Sequence, residues 1–297
     1  MRAVWTFWSR PYESQRGNSW CTPMHHLLAW GLSLSCARRH YPDTLLVTDH
    51  AGKKLLVDTL GLQFANVSTE LERLKDADPD WWALGKLVTY SMQDVPFVHI
   101  DADVFLWKPL PAEVVNAPVL AQCPEFFASK TDPGIREIHD TFESHGSPLP
   151  VEWEWAVSNE EPFLRQANCG IVGGQRVDFL RYYAQAALDL ALTPPSSEAW
   201  ARIRNKSNTV LEQFFLSACV DFHRFHPDSP YRGIRMKYLF PSWEDACNPN
   251  RTARAGYTHL QFVAKSNPAV ARRLAERVQR EDSFYFRHCE RVAGRLA

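Results

Sequence analysis

WALGKLVTYSMQDVPFVHIDADVFLWKPL, residues 82–110, decides the architecture. Residues 81–92 place apolar side chains at helical spacing, a short polar gap follows, and residues 96–100 (PFVHI) form an apolar run of strand length. The strand ends abruptly at Asp101-Ala102-Asp103. In open α/β sheets ligands gather beyond the carboxyl ends of the strands, so a pair of carboxylates emerging there is expected to do chemistry. Two residues apart along an extended chain, Asp101 and Asp103 point to the same side and can share one divalent cation, and oxygen ligands of this kind suit Mg²⁺ or Mn²⁺. Context matters more than the three letters. Asp76-Ala77-Asp78 has the same pattern but sits in a polar stretch closed by proline, where a solvated helix end or cap is the plain reading.

Outward from this segment the pattern repeats. Residues 3–8 (AVWTFW) read as a strand, 24–40 as a helix ending in cations, 44–48 (TLLVT) as a buried strand, 53–60 as a helix stopped by Gly61, and 62–67 as another strand. Alternating strands and helices predict a mainly parallel sheet with crossover helices. Residues 109–162 are rich in Pro, Glu and Trp with weak periodicity, which predicts long loops or an insertion. Residues 167–174 (ANCGIVGG) form a glycine-marked strand or turn, with helices at 177–192 and 209–220, a late strand in 256–262, and a helical, mildly basic tail from 268 to 297.

Composition removes several classes. The chain of 297 residues has 33 Lys+Arg against 34 Asp+Glu, a net charge of -1, and so lacks the cationic excess that coating a nucleic acid requires. Its seven cysteines are scattered without a C-x-x-C pair, which argues against a zinc knuckle or a disulfide framework and fits a reducing compartment. The longest mostly apolar run, residues 27–37, is too short to span a bilayer. A cytoplasmic protein is expected, with contact at a membrane surface as a minority reading of the basic tail. The aromatic content of 12%, with 11 Trp, is unusual.

Read together, four motifs carry a resemblance. Residues 82–110 resemble the corresponding stretch of family 8 glycosyltransferases, the glycogenin-like group of nucleotide-sugar transferases: a K-L-x-x-x helix, a gap, then an apolar strand ending in D-x-D. Asn168-Cys169-Gly170 resembles that family's N-S-G strand with Cys in place of Ser, and Glu212-Gln213 resembles its D-Q pair with Glu in place of Asp. His259 and Lys265 are six positions apart, the spacing of its H-F-x-G-x-x-K motif, although the glycine expected three residues after the histidine is Phe262. The resemblance implies a single α/β domain of the GT-A (Rossmann-like) fold with a central mixed, mainly parallel sheet over residues 1–268. It also implies an acceptor-side insertion at about 111–165 and a helical extension at 269–297.

It further implies a transferase that moves a sugar from a nucleotide sugar, a UDP-sugar by resemblance, to an acceptor, with retention of configuration. Mn²⁺ or Mg²⁺ would be held by Asp101, Asp103 and His259, with Lys86 and Lys265 facing the diphosphate and Ala102 in the donor loop. A metal there stabilises the negative charge of the departing diphosphate. Asn168 and Gln213 are candidates to touch sugar hydroxyls, since carboxamides both donate and accept. Glu212 is either a carboxylate near the anomeric carbon or a helix surface residue, the latter being plainer. Thr6 and Tyr12 are candidate nucleobase contacts. The acceptor, a glycan, a small molecule or a peptide side chain, stays open. So do two rival functions, nucleotidyl transfer and a catalytically idle sugar- or partner-binding protein displaying Trp153 and Trp155. His25-His26 reads as an amphipathic helix start and His223/His226 as part of an extended segment. Arg272, Arg273, Arg277 and Arg280 read as solvated cations on a packed tail helix.

Overall fold

The computed structural model describes residues 1–14, 19–129, 133–158, 163–203 and 208–296. Among the described residues eleven strands are formed: β1 (Arg2–Phe7), β2 (Thr44–Thr48), β3 (Asn66–Ser68), β4 (Phe97–Ile100), β5 (Val104–Leu106), β6 (Val119–Ala121), β7 (Pro124–Ser129), β8 (Phe163–Ala167), β9 (Ile171–Gly174), β10 (Met236–Tyr238) and β11 (Tyr257–His259). Seven of them make one mixed, mainly parallel sheet in the order β10-β6-β9-β4-β1-β2-β3, as the alternation of elements predicts. The chain divides into two compact units, residues 1–79, 99–110 and 249–297 in the first and 80–98 and 111–248 in the second.

In the first unit β1, β2 and β3 run parallel, with Val4 opposite Leu45 and Leu46 opposite Val67. All five residues of β2 are buried, which is why its sequence is apolar without alternation. The helix Pro23–Ala37 starts with proline at its first position, where the missing N–H costs nothing. It is tied to β1 by the Trp5 indole N–H, which donates to Ser33 Oγ at 3.0 Å. Gly31 lets Tyr285 of the final helix lie against it, since a Cβ there would come within 2.2 Å of that ring, and the Tyr285 hydroxyl donates to the Leu27 carbonyl at 2.7 Å. The tail forms two helices, Pro268–Glu281 and Ser283–Leu296, the first capped by Asn267 and burying Ala271, Leu274 and Val278. Asp76 and Asp78 are exposed beyond the short helix Glu70–Leu74, as their polar context predicts.

In the second unit the helices Ala83–Ser91 and Val177–Leu192 pack together, β10 pairs parallel with β6, and β6 pairs antiparallel with β9. Gly173 is required where β9 passes close to a neighbouring backbone: a Cβ would sit 2.0 Å from the Phe97 carbonyl oxygen. Much of the aromatic excess is core here. Trp200 meets Trp81 and Phe142 edge to face at 5.2 and 5.3 Å, and Trp153 meets Phe214 at 4.9 Å. Trp153 is fully buried, so it cannot present a binding face. The stretch read as loops or an insertion is largely regular. It contributes β6 and β7, the start of β8, and the helices Ala112–Val115, Pro133–His145 and Val151–Ser158, while residues 130–132 and 159–162 lie outside the described residues. His223 is on the helix Phe215–Phe225, a correction to the extended reading: the alternation of F-H-R-F-H is too brief to separate a strand from a helix end. Among the described residues no helix is long and apolar enough to cross a membrane.

Candidate metal centre

β4 carries four buried residues and then turns tightly through Asp101-Ala102-Asp103, closed by Val104 N–H donating to the Asp101 carbonyl at 2.9 Å. The chain returns as β5, which pairs antiparallel with β11 so that Val104 lies opposite His259. Asp103 and His259, 156 positions apart, thus meet because a two-stranded ribbon continues straight out of the turn. One ligating atom from each of Asp101, Asp103 and His259 lies within 4.8 Å of the others. His259 Nε2 is 3.4 Å from one carboxylate oxygen of Asp103, and Lys265 Nζ is 2.5 Å from the other. Two carboxylates and an imidazole converging on one point suit a divalent cation of intermediate hardness.

Asp103 is only 6% exposed. Burial by itself would push its carboxyl up, but the Lys265 ammonium, and next His259, hold it well below the usual carboxylate range. The group is therefore a ready anionic ligand. Asp101 is half-buried, with His99 Nδ1 3.6 Å from its Oδ1, and the other nitrogen of His99 is 3.0 Å from Thr6 Oγ1. A residue that sequence reasoning passed over, His99, thus lies between a candidate ligand and a candidate nucleobase contact. Its signal was present: a histidine two places before Asp101 in a strand shares its face.

Lys265 also reaches an aromatic cluster. Its Nζ is 5.7 Å from the centre of the Trp20 ring, and near it Tyr12 stacks on His26 at 4.7 Å. The Trp30 indole N–H donates to His26 Nε2 at 3.0 Å, and because indole only donates, the imidazole proton must sit on Nδ1. Burial, then the charge of Lys265, lowers the pKa of His26 to about 3, with Asp103 opposing. His26 is thus a buried neutral ring within the first turns of the helix Pro23–Ala37.

The remaining candidates lie in the second unit. Lys86 is buried, its Nζ 2.8 Å from Glu212 Oε1 and donating to the Cys169 carbonyl at 3.2 Å, while the Tyr90 hydroxyl donates to the same glutamate oxygen at 2.7 Å. Glu212 is fully buried, which corrects the surface reading: it lies among Val210, Leu211 and Phe214 on a π-helical turn, and Tyr183 donates to its carbonyl. Gln213 is half-buried on the same turn. Asn168, 5% exposed, donates from Nδ2 to Glu125 Oε1 at 2.6 Å and accepts from Gly170 N–H at 3.0 Å. Glu125 also receives Gln166 Nε2 at 2.6 Å, its partner in the β7–β8 register. Nothing local in the sequence marks Glu125; only strand pairing reveals it.

The sequence matches none of the curated proteins. In structure the chain is similar to the galactosyltransferase LgtC, solved in complex with donor and acceptor sugar analogs, with 10% identity and a TM-score of 0.41 over 93% of this chain and 94% of that one. The model of DUF6734, a family of unknown function, matches residues 1–292, and the chain belongs to that family.

Proposed function

We propose that the chain is a metal-dependent glycosyltransferase that takes a sugar from a nucleotide sugar, a UDP-sugar in the first instance, and passes it to an acceptor. The observation that carries this reading is the convergence of Asp101, Asp103 and His259 at the end of a sheet strand, with Lys265 against them. The four motifs of the family 8 resemblance support it. Asp101, Asp103 and His259 would hold the metal, Mn²⁺ suiting a mixed carboxylate and imidazole set better than Mg²⁺. When bound, the ion supplies charge stabilisation to a leaving nucleoside diphosphate. His99 and Thr6 orient Asp101. Lys265, its side chain 24% exposed, adds a cation that can turn from Asp103 to a phosphate. Tyr12 and Trp20 offer flat faces to a base.

The test is Asp103→Asn, which keeps the shape and removes the charge. UDP-sugar hydrolysis and Mn²⁺ binding by calorimetry should each fall by about 100-fold or more, with the circular dichroism spectrum unchanged. Full activity of this variant with metal chelated would sink the proposal. Release of pyrophosphate in place of a nucleoside diphosphate would move the reaction to nucleotidyl transfer.

A further inference from the structure

A cavity of about 720 Å³ lies wholly within the first unit, on the reverse of the ribbon that carries His259. Adjacent residues of a strand face opposite sides, so Thr258 faces this cavity while His259 faces Asp103. Its walls include Leu32, Phe105, Tyr257, Leu260, Val270 and Leu274, and its volume falls in the range of ligand sites, far above a packing void. The polar groups of the wall are already matched: the Trp107 indole N–H donates to Thr258 Oγ1 at 3.0 Å.

Three cations line it, and no carboxylate does among the described residues. Arg277 lies over the Trp107 ring at 4.4 Å and pairs with Glu281. Arg273 and Lys108 are exposed and have no carboxylate partner among the described residues. Lys108 is held in place because its stem lies over Gly256: a Cβ there would come within 2.4 Å of it, and Gly256 has φ of +65°. Lys108 Nζ donates to the Arg254 carbonyl at 3.1 Å, which fixes the ammonium without neutralising it. An apolar volume with two uncompensated cations at its solvent edge is complementary to a molecule that is apolar for most of its length and anionic at one end.

We propose that this cavity binds a single-chain anionic amphiphile, its alkyl or isoprenoid chain against Leu32, Phe105 and Leu260 and its phosphate or carboxylate head at Arg273 and Lys108. The site is independent of the metal centre and does not rest on the glycosyltransferase reading.

The experiment is calorimetric titration of the full chain with decyl phosphate and decanoate below their critical micelle concentrations, with octyl phosphate and decanol as comparisons. Saturable binding of one decyl phosphate is expected. Removing two methylenes should weaken it about 15-fold, and replacing the charged head by a hydroxyl should weaken it further. The decanoate arm states which head group is preferred; binding of either anion supports the site. Ala253→Trp, which fills the cavity from the exposed helix Pro249–Ala255, should abolish binding, with Val270→Trp as the second filling variant should the first not fold. Arg273→Glu should weaken decyl phosphate severalfold and leave decanol unchanged. No saturable heat with either anion, equal affinity for decanol and decyl phosphate, or undiminished binding by a folded filling variant would overturn the proposal. So would binding to vesicles of phosphatidylglycerol without binding to monomeric amphiphile, which assigns the cations to a membrane surface.

Discussion

Glu212→Gln should destabilise the fold by about 3–5 kcal/mol, the cost of leaving a buried charge without its partner. The side chains of Glu212 and Lys86 are 0% and 11% exposed, and Oε1 of Glu212 takes both Lys86 at 2.8 Å and Tyr90 at 2.7 Å. The glutamine keeps the shape and can still accept from Tyr90, so the loss isolates the charge. Lys86→Met should cost a similar amount by stranding the carboxylate. The double variant Lys86→Met/Glu212→Gln buries no charge and should be less destabilised than the sum of the two by several kcal/mol, because removing both ions also removes their desolvation. Unfolding entropy of about 2.1 cal/mol/K per residue gives ~0.6 kcal/mol/K for a chain of 297 residues, so each single variant should lower Tm by roughly 5–8 °C. Scanning calorimetry and urea unfolding followed by circular dichroism read both quantities. Single variants costing under about 1 kcal/mol, with an additive double, would refute the reasoning and class the contact with exposed ion pairs.

Acid stability should depend on His26. Its folded pKa, near 3, is below the unfolded value of about 6.5, so both states are neutral above pH 6.5, and stability is lost as pH falls from there towards 3 while only the unfolded chain takes up the proton. From pH 6.5 to 4 this contributes about 3 kcal/mol, and His26→Gln should show an acid limb shallower by that amount in urea midpoints measured across the range; identical limbs would show that His26 is not the group. His99→Gln, acting on Asp101 through its orientation, should weaken Mn²⁺ binding by about 10–100-fold in calorimetry, and an unchanged affinity would remove His99 from the site.

Local sequence pattern made the element order and the Asp101-Ala102-Asp103 turn legible, because β1, β2 and β4 are short apolar runs with clear breaks and the helices 23–37 and 83–91 are apolar runs too long for a strand, with most of their residues buried. Contacts made by distant register were not legible. Glu125 meets Asn168 only because β7 pairs with β8, and Glu212 meets Tyr90 across 122 positions. The burial of Glu212 did have a local signal, since it is a lone charge in the mostly apolar stretch of Val210, Leu211, Phe214 and Phe215. Residues 111–165 hid their elements because each is three to thirteen residues long, too short for periodicity to stand out against the prolines between them.

The two lysines of the sequence reading, grouped there by resemblance, separate on physical grounds. Both pair with a buried carboxylate, and such pairs cost desolvation that their attraction barely repays, so neither is explained by stability alone. Lys265 is 24% exposed and shares Asp103 with a potential ligand, His259, so a divalent ion can replace the ammonium as the counter-charge without leaving the carboxylate bare. Lys86 is 11% exposed and faces a carboxylate with no solvent contact, with the Cys169 carbonyl and Tyr90 closing around the pair. Withdrawing Lys86 towards a phosphate would strand Glu212 at a cost of several kcal/mol, whereas withdrawing Lys265 strands nothing once a metal is bound. Under the proposed function, the cation free to exchange is therefore Lys265. Lys86 is tied instead to the π-helical turn that carries Glu212 and Gln213.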